Sequence, residues 1–454
     1  MHQDTSKKGS DPFLSYNAVM DDERAKWLRL TLLGLLSGLL AGTVVLAFRV
    51  AVDWGQQLLL PPGGSGNYEA LAPWLRIVLP VGIGLLLGLL FDGLPRDLRE
   101  VGVTHVLKRL QTPGRERLPP ANMLVQFVGA VAAIVGGHSV DREGPAVHLG
   151  AASASFVGQR LRLTAEEDIT LAACGAAAAI AAAFDTPLAG VVFAIEVLRI
   201  RYQVSRYLPV IVAAVVGAMV SRAFSLTEPG FAVIPEYLDS NWEYTTLLTL
   251  GGVTGLLAVG FIGLTSSVAA RTGHWHCSLS FSLAGLITGV LALWTPQIMG
   301  TSYDTLDRLL HGQGELLFVM AMLLTKLVAT GCAIGLRVPG GLIGPTLFIG
   351  GAAGSAVGLA VAQFAAVDTA SPGFYATIGM VAMMGATLRA PLAALTALLE
   401  LTANPNIILP GMVAVACAEL VTRLARGQKS VFDVLLDVQA STSRTQLKKN
   451  ASNP

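Results

Sequence analysis

The chain has 454 residues, of which 53% are hydrophobic and only 13% charged, with 49 glycines and a formal net charge of +1. A soluble domain carries about twice that share of charge, so a water-soluble globular protein is excluded. The balanced charge leaves no electrostatic footprint for a nucleic acid.

Residues 1–27 are polar and mixed in charge, without the apolar core of a signal peptide, and read as a cytoplasmic N-terminal segment. Apolar stretches follow at 32–52, 74–91, 123–135, 208–220, 247–268, 283–293, 316–333 and 407–421. Several fall short of the roughly 20 residues a full span needs. Short segments in a polytopic chain imply broken or re-entrant helices that line a cavity. The expectation is an all-α polytopic membrane protein with a transmembrane region at 28–436 and a cytoplasmic tail at 437–454, too short for a regulatory domain. Arg96, Arg99, Lys108, Arg109, Arg115 and Arg117, and later Arg423, Arg426, Lys429, Arg444, Lys448 and Lys449, place their segments in the cytoplasm. Lys7, Lys8, Arg24 and Lys26 put the N-terminus on the same side, so both termini are expected to be cytoplasmic. Cys174, Cys277, Cys332 and Cys417 have no ligand spacing, so neither a metal nor a cofactor is expected.

An internal repeat organises the chain into halves at roughly 28–226 and 240–436. Gly144, Pro145, Gly150, Ser155 and Gly158 match Gly344, Pro345, Gly350, Ser355 and Gly358 with a shift of 200. Gly175, Pro187, Leu188, Ala189 and Glu196 match Gly379, Pro391, Leu392, Ala393 and Glu400 with a shift of 204. Paired broken segments in corresponding positions point to a binding site at the membrane midplane. Most of the glycines are expected to serve close helix packing.

In the first half, Asp141-Arg142-Glu143-Gly144-Pro145 opens a short apolar helix, with Pro145 suited to its first turn. Three ionisable groups there are costly in a bilayer unless they face a pore or one another. In the second half, Pro339-Gly340-Gly341-Leu342-Ile343-Gly344-Pro345 is a Gly-rich helix entry whose N–H groups form a nest for a desolvated anion. Held by amides alone, a weakly basic halide binds loosely enough to leave, as conduction requires.

These motifs resemble the chloride channels and chloride/proton antiporters of the CLC family. That family has a Gly-Arg-Glu-Gly-Pro segment carrying a gating glutamate and a Gly-Gly-x-Phe-x-Pro segment whose amides bind chloride. The resemblance spans about residues 32–436 and includes Pro187–Gly190 and Arg389–Leu392. It implies a homodimer in the bilayer with an inverted repeat and one pore per subunit. Carried over, Glu143 is the gate, flanked by Arg142 and Gly144, and Leu342 and Ile343 offer amides to the central ion. Ile343 stands in place of the family's phenylalanine, and Asp141 in place of the glycine before its arginine.

Three further departures matter. Val101 aligns with a serine whose hydroxyl touches chloride, and Phe432 with a tyrosine that touches the same ion. Losing two donors to an anion removes about 1.5–3 kcal/mol each. Val197 replaces the glutamate that feeds protons from the cytoplasm, leaving Glu196 beside it and Glu143 as the acids of any proton route. The resemblance therefore implies chloride transport, with passive channel conduction favoured and proton-coupled exchange or a fluoride exporter as alternatives. Pro145 after Glu143-Gly144 argues for chloride. Glu196 and Glu400 also read as structural acids, and His148 as a helix-packing residue. With no His-Glu-x-x-His and no Gly-x-Ser-x-Gly, the chain is not expected to be an enzyme. The absence of a regulatory domain and targeting signals points to a prokaryotic inner membrane.

Overall fold

The computed structural model describes residues 12–62, 66–112, 114, 117–200, 204–224, 238, 242–364 and 369–451; of these, the side chains of 12–23, 204–206, 364 and 443–451 are not described. Lys7, Lys8, Arg115 and most of the segment joining the halves lie outside the described residues, as do the side chains of Arg444, Lys448 and Lys449.

Among the described residues the chain is helical and without strands. The first half runs α1 (Pro12–Leu59), α2 (Pro73–Asp92), α3 (Gly102–Gln111), α4 (Pro120–Val135), α5 (Glu143–Arg160), α6 (Ala165–Phe184), α7 (Pro187–Glu196) and α8 (Val204–Ala223). The second repeats that order as α9 (Glu243–Thr272), α10 (Cys277–Leu291), α11 (Tyr303–Leu310), α12 (Leu316–Gly335), α13 (Ile343–Phe364), α14 (Pro372–Leu388), α15 (Pro391–Thr402) and α16 (Ile408–Arg426), and α17 (Val431–Ala451) follows. The expected boundaries at 27/28 and 436/437 fall inside α1 and α17. The polar residues there continue an amide ladder that the apolar residues begin, so a change of polarity is not a change of backbone.

Local chemistry sets the ends of the helices. Proline opens α2, α4, α7, α14 and α15, where its missing N–H has no intrahelical partner to lose. Thr164 and Glu167 form a capping box at α6. The left-handed residues that stop α6 and α14 are Asp185 (φ 58°) and Arg389 (φ 59°), equivalent positions of the repeat.

Among the described residues, seven helical stretches are long and apolar enough to cross a membrane, including 24–59, 165–184, 316–335 and 343–363. Others stop short, as the runs at 123–135, 208–220 and 283–293 anticipate, whereas 165–184 and 343–363 coincide with none of the apolar runs. The Ala-rich α6 is almost wholly enclosed and packs on α1, α5, α7 and α8, while α14 packs correspondingly on α9, α13, α15 and α16. Small residues let these helices touch: a Cβ on Gly150 would overlap the Gly175 carbonyl, and one on Gly350 the Gly379 carbonyl. The halves cross where α2 meets α10, α7 meets α15 and α5 meets α13. At the last crossing Asp141 and Gly341, exact repeat equivalents, form an antiparallel bridge with N···O distances of 3.1 and 3.3 Å. Equivalent residues pairing in opposite directions are what an inverted repeat produces.

Candidate functional site

The heads of α5 and α13 meet backbone to backbone at Gly144 and Gly341. A Cβ on Gly144 would lie 2.6 Å from the Gly341 Cα, and one on Gly341 only 2.7 Å from the Gly144 Cα and N. Their first N–H groups lack intrahelical acceptors and carry the positive ends of two helix dipoles. The Asp141 carboxylate bridges them. Gly144 N–H donates to Oδ1 at 3.0 Å and Gly344 N–H to Oδ2 at 2.6 Å, with Asp141 fully buried.

Glu143 is also fully buried, yet stands outside that bridge. Its Oε1 lies 3.4 Å from Arg142 Nε, and Oε2 completes no hydrogen bond among the described residues, although the Tyr303 hydroxyl faces it. The Arg142 guanidinium sits 5.2 Å above the Tyr303 ring, within cation–π range. The expected triplet of ionisable groups is thus turned inward, each member against another.

Below this junction is a cavity of about 350 Å³ lined by Val101, Gly102, His105, Gly144, Leu342 and Phe432, among others. The structure therefore brings Val101, Gly144, Leu342 and Phe432, which are far apart in the chain, around one space. Ile343 is buried at the start of α13, one residue from Leu342. Arg96, Arg99 and Arg337 stand around the same cavity against one carboxylate, Glu100, so its lining is net cationic. At the head of α3, Gly102 N–H donates to Gln126 Oε1 at 2.5 Å, and Gln126 Nε2 is buried without a partner among the described residues. Neither Val101 nor Phe432 brings a hydroxyl to this space.

Glu196 lies away from it. Its carboxylate accepts from Leu392 N–H at 3.2 Å and Ala393 N–H at 2.7 Å at the start of α15, while Glu400 accepts from Leu188 and Ala189 N–H at 2.9 and 2.8 Å at the start of α7. Each acid caps the helix of the other half, the structural role weighed for this pair above. Val197 is buried and ends α7.

Two features had escaped the sequence reading. His148, expected to be a packing residue, places Nε2 2.9 Å from His105 Nδ1, and Arg109 Nε donates to His105 Nε2 at 3.1 Å. The Arg109 contact makes Nε2 an acceptor, so neutral His105 carries its proton on Nδ1 and donates to His148. The second is Lys326, which is fully buried in α12. Its ammonium donates to Ile298 O at 2.9 Å, Gly300 O at 3.0 Å and Ser302 Oγ at 2.8 Å, using all three hydrogens. Asp141 and Asp304 are the carboxylates whose charge it feels. Lys326→Met is expected to strand those acceptors and cost about 3 kcal/mol, seen as a lowered unfolding midpoint in detergent. A midpoint equal to wild type would mean the ammonium is dispensable. No cluster with metal-binding composition occurs among the described residues.

A family model of voltage gated chloride channels matches residues 83–423. The chain belongs to the voltage gated chloride channel family. A protein of Ralstonia nicotianae named putative chloride channel protein ClcB-like is 32% identical, covering 80% of this chain and 86% of its own length. The voltage-gated ClC-type chloride channel ClcB of Escherichia coli is 30% identical over 87% of this chain and 96% of its length. Among solved structures, a slow cyanobacterial Cl-/H+ antiporter superposes with a TM-score of 0.77 at 24% identity, covering 93% of this chain and 99% of its own. A CLC-type fluoride/proton antiporter gives 0.75 at 22%, covering 90% and 98%. At these identities the two structures establish the fold of this CLC-family chain and leave its ion and coupling open.

Proposed function

We propose that the chain transports chloride across the membrane, through the junction of α5 and α13 and the cationic cavity beneath it. The observation that carries this reading is the meeting of two helix N-termini from opposite halves above a cavity lined by Leu342 and Gly144. The N–H groups of Leu342 and Ile343 open the first turn of α13 and suit a weakly basic anion. Arg142, Gly144, Leu342 and Ile343 are the proposed anion contacts. Val101 and Phe432 are walls that replace hydroxyl donors, and Glu143 is the gate. The assembly is a homodimer in an inner membrane with both termini cytoplasmic. The exposed apolar residues Leu188, Leu392, Leu409 and Met412, beside the crossed caps, offer a face for the second copy.

Passive conduction is the favoured mode. Val197 holds no proton, and both oxygens of Glu196 are engaged in capping α15. One observation favours coupled exchange: His105 lines the cavity and hydrogen-bonds to His148 on α5, the helix that Glu143 begins. The discriminating experiment drives chloride down its gradient through reconstituted vesicles while external pH is recorded. Conduction predicts chloride efflux with no uphill proton movement. Proton uptake that disappears in His105→Phe would establish exchange through the histidine pair.

A further inference from the structure

The two acids at the junction are not equivalent. Asp141 has both oxygens on helix-head amides, one from each half, at 3.0 and 2.6 Å. Glu143, two residues on, leaves a fully buried oxygen with no hydrogen bond among the described residues. A chloride ion seated between the helix heads would draw on the same two N–H donors, because the Gly144 and Gly341 backbones approach closely there.

We propose that Asp141 is a built-in anion that competes with transported chloride for the N–H groups of Gly144 and Gly344, making it a second gating residue for this pathway. The inference rests on the reading of the junction as an anion pathway. Two mutually exclusive ligands share one nest, so chloride enters it only when the Asp141 carboxylate is protonated or has rotated away. Asp141 is anchored for that role by its backbone pairing with Gly341, so its side chain can leave while the loop stays in place. The groups facing it are Glu143 from the head of α5, the Tyr303 hydroxyl from α11 and the Lys326 ammonium from α12. Burial and the Glu143 carboxylate oppose the charge of Asp141, while the Gly144 and Gly344 amides and the Lys326 ammonium favour it, so acid, by neutralising it, should open the junction. The rival reading makes Asp141 a staple that fastens the two loops together. The two readings predict opposite signs for transport.

The test compares wild type, Asp141→Asn and Asp141→Gly in vesicles between about pH 4 and pH 10, a range spanning the titration of a buried carboxyl. The neutral variants are expected to raise chloride efflux and chloride affinity by calorimetry at the alkaline end of that range, each about tenfold, and to flatten the acid response. Lower efflux together with a lower unfolding midpoint in both would establish the staple and overturn the proposal. If neither variant can be purified, Asp141→Glu keeps the charge and changes its reach. A shifted midpoint of acid activation would then support the gate, and an unmoved one would sink it. Should wild type pass no chloride at any pH, the transport reading fails instead, and calorimetry on the same variants still reads the competition alone.

Discussion

Glu143→Gln in vesicles is expected to pass chloride about tenfold faster than wild type at neutral pH while keeping part of the acid response. A buried carboxylate oxygen without a partner costs about 1–3 kcal/mol, and tenfold corresponds to about 1.4 kcal/mol within that range. Glu143 is therefore held in a position that it gains by leaving, with Arg142 at 3.4 Å as its only ion pair among the described residues. Neutralising it removes a negative charge from the chloride path without emptying the nest, because Asp141 remains on Gly144 and Gly344. The residual acid response belongs to Asp141, and Asp141→Asn/Glu143→Gln should show none. Efflux identical to wild type across pH would remove Glu143 from the gate. A complete loss of acid response in the single variant would return Asp141 to a structural role.

The repeat was legible because its markers are residues whose backbone role admits few substitutes. Pro187 and Pro391 open helices, and Glu196 and Glu400 cap the opposite ones, so each recurs where the fold does. The partners of those acids were hidden, since a cap 196 or 212 residues away leaves no periodicity in the chain. Asp141 was conspicuous in sequence but silent in meaning. Its role depends on Gly344, 203 residues away, and on two loops running antiparallel. Lys326 and His148 sit inside apolar helices, where a single polar residue reads as an interruption until its partners are in place, and His105 sits in the basic α3, 43 residues from His148. A cavity was anticipated from the short helices and the repeat, but Val101 and Phe432 were placed beside it only through a resemblance that aligned them with lost hydroxyls. Gln126, which takes the α3 head amide with its oxygen and leaves its Nε2 buried, carried no signal.

Gly341→Ala is expected to reduce chloride efflux by about 100-fold, the cost of moving a working contact by roughly 1 Å. The added methyl would overlap Asp141 Oδ1 and approach the Gly144 Cα and N to 2.7 Å. The carboxylate can rotate away, but the Gly144 backbone cannot, so α5 and α13 must separate at their heads. Separation takes the Gly144 and Gly344 amides out of reach of one ion and dilutes two helix dipoles that act together only at close range. Gly144→Ala meets the Gly341 Cα at 2.6 Å and should fall by a similar factor, since the contact is reciprocal. Asp141→Gly changes the same contact with the opposite expected sign, because it removes the bridging anion and leaves the backbones in place. A loss of efflux in Gly341→Ala without a change in unfolding midpoint would locate the damage in the pathway. Wild-type efflux in that variant would mean that the two helix heads are not in contact while chloride passes, and the junction would then be a closed state rather than the conducting one.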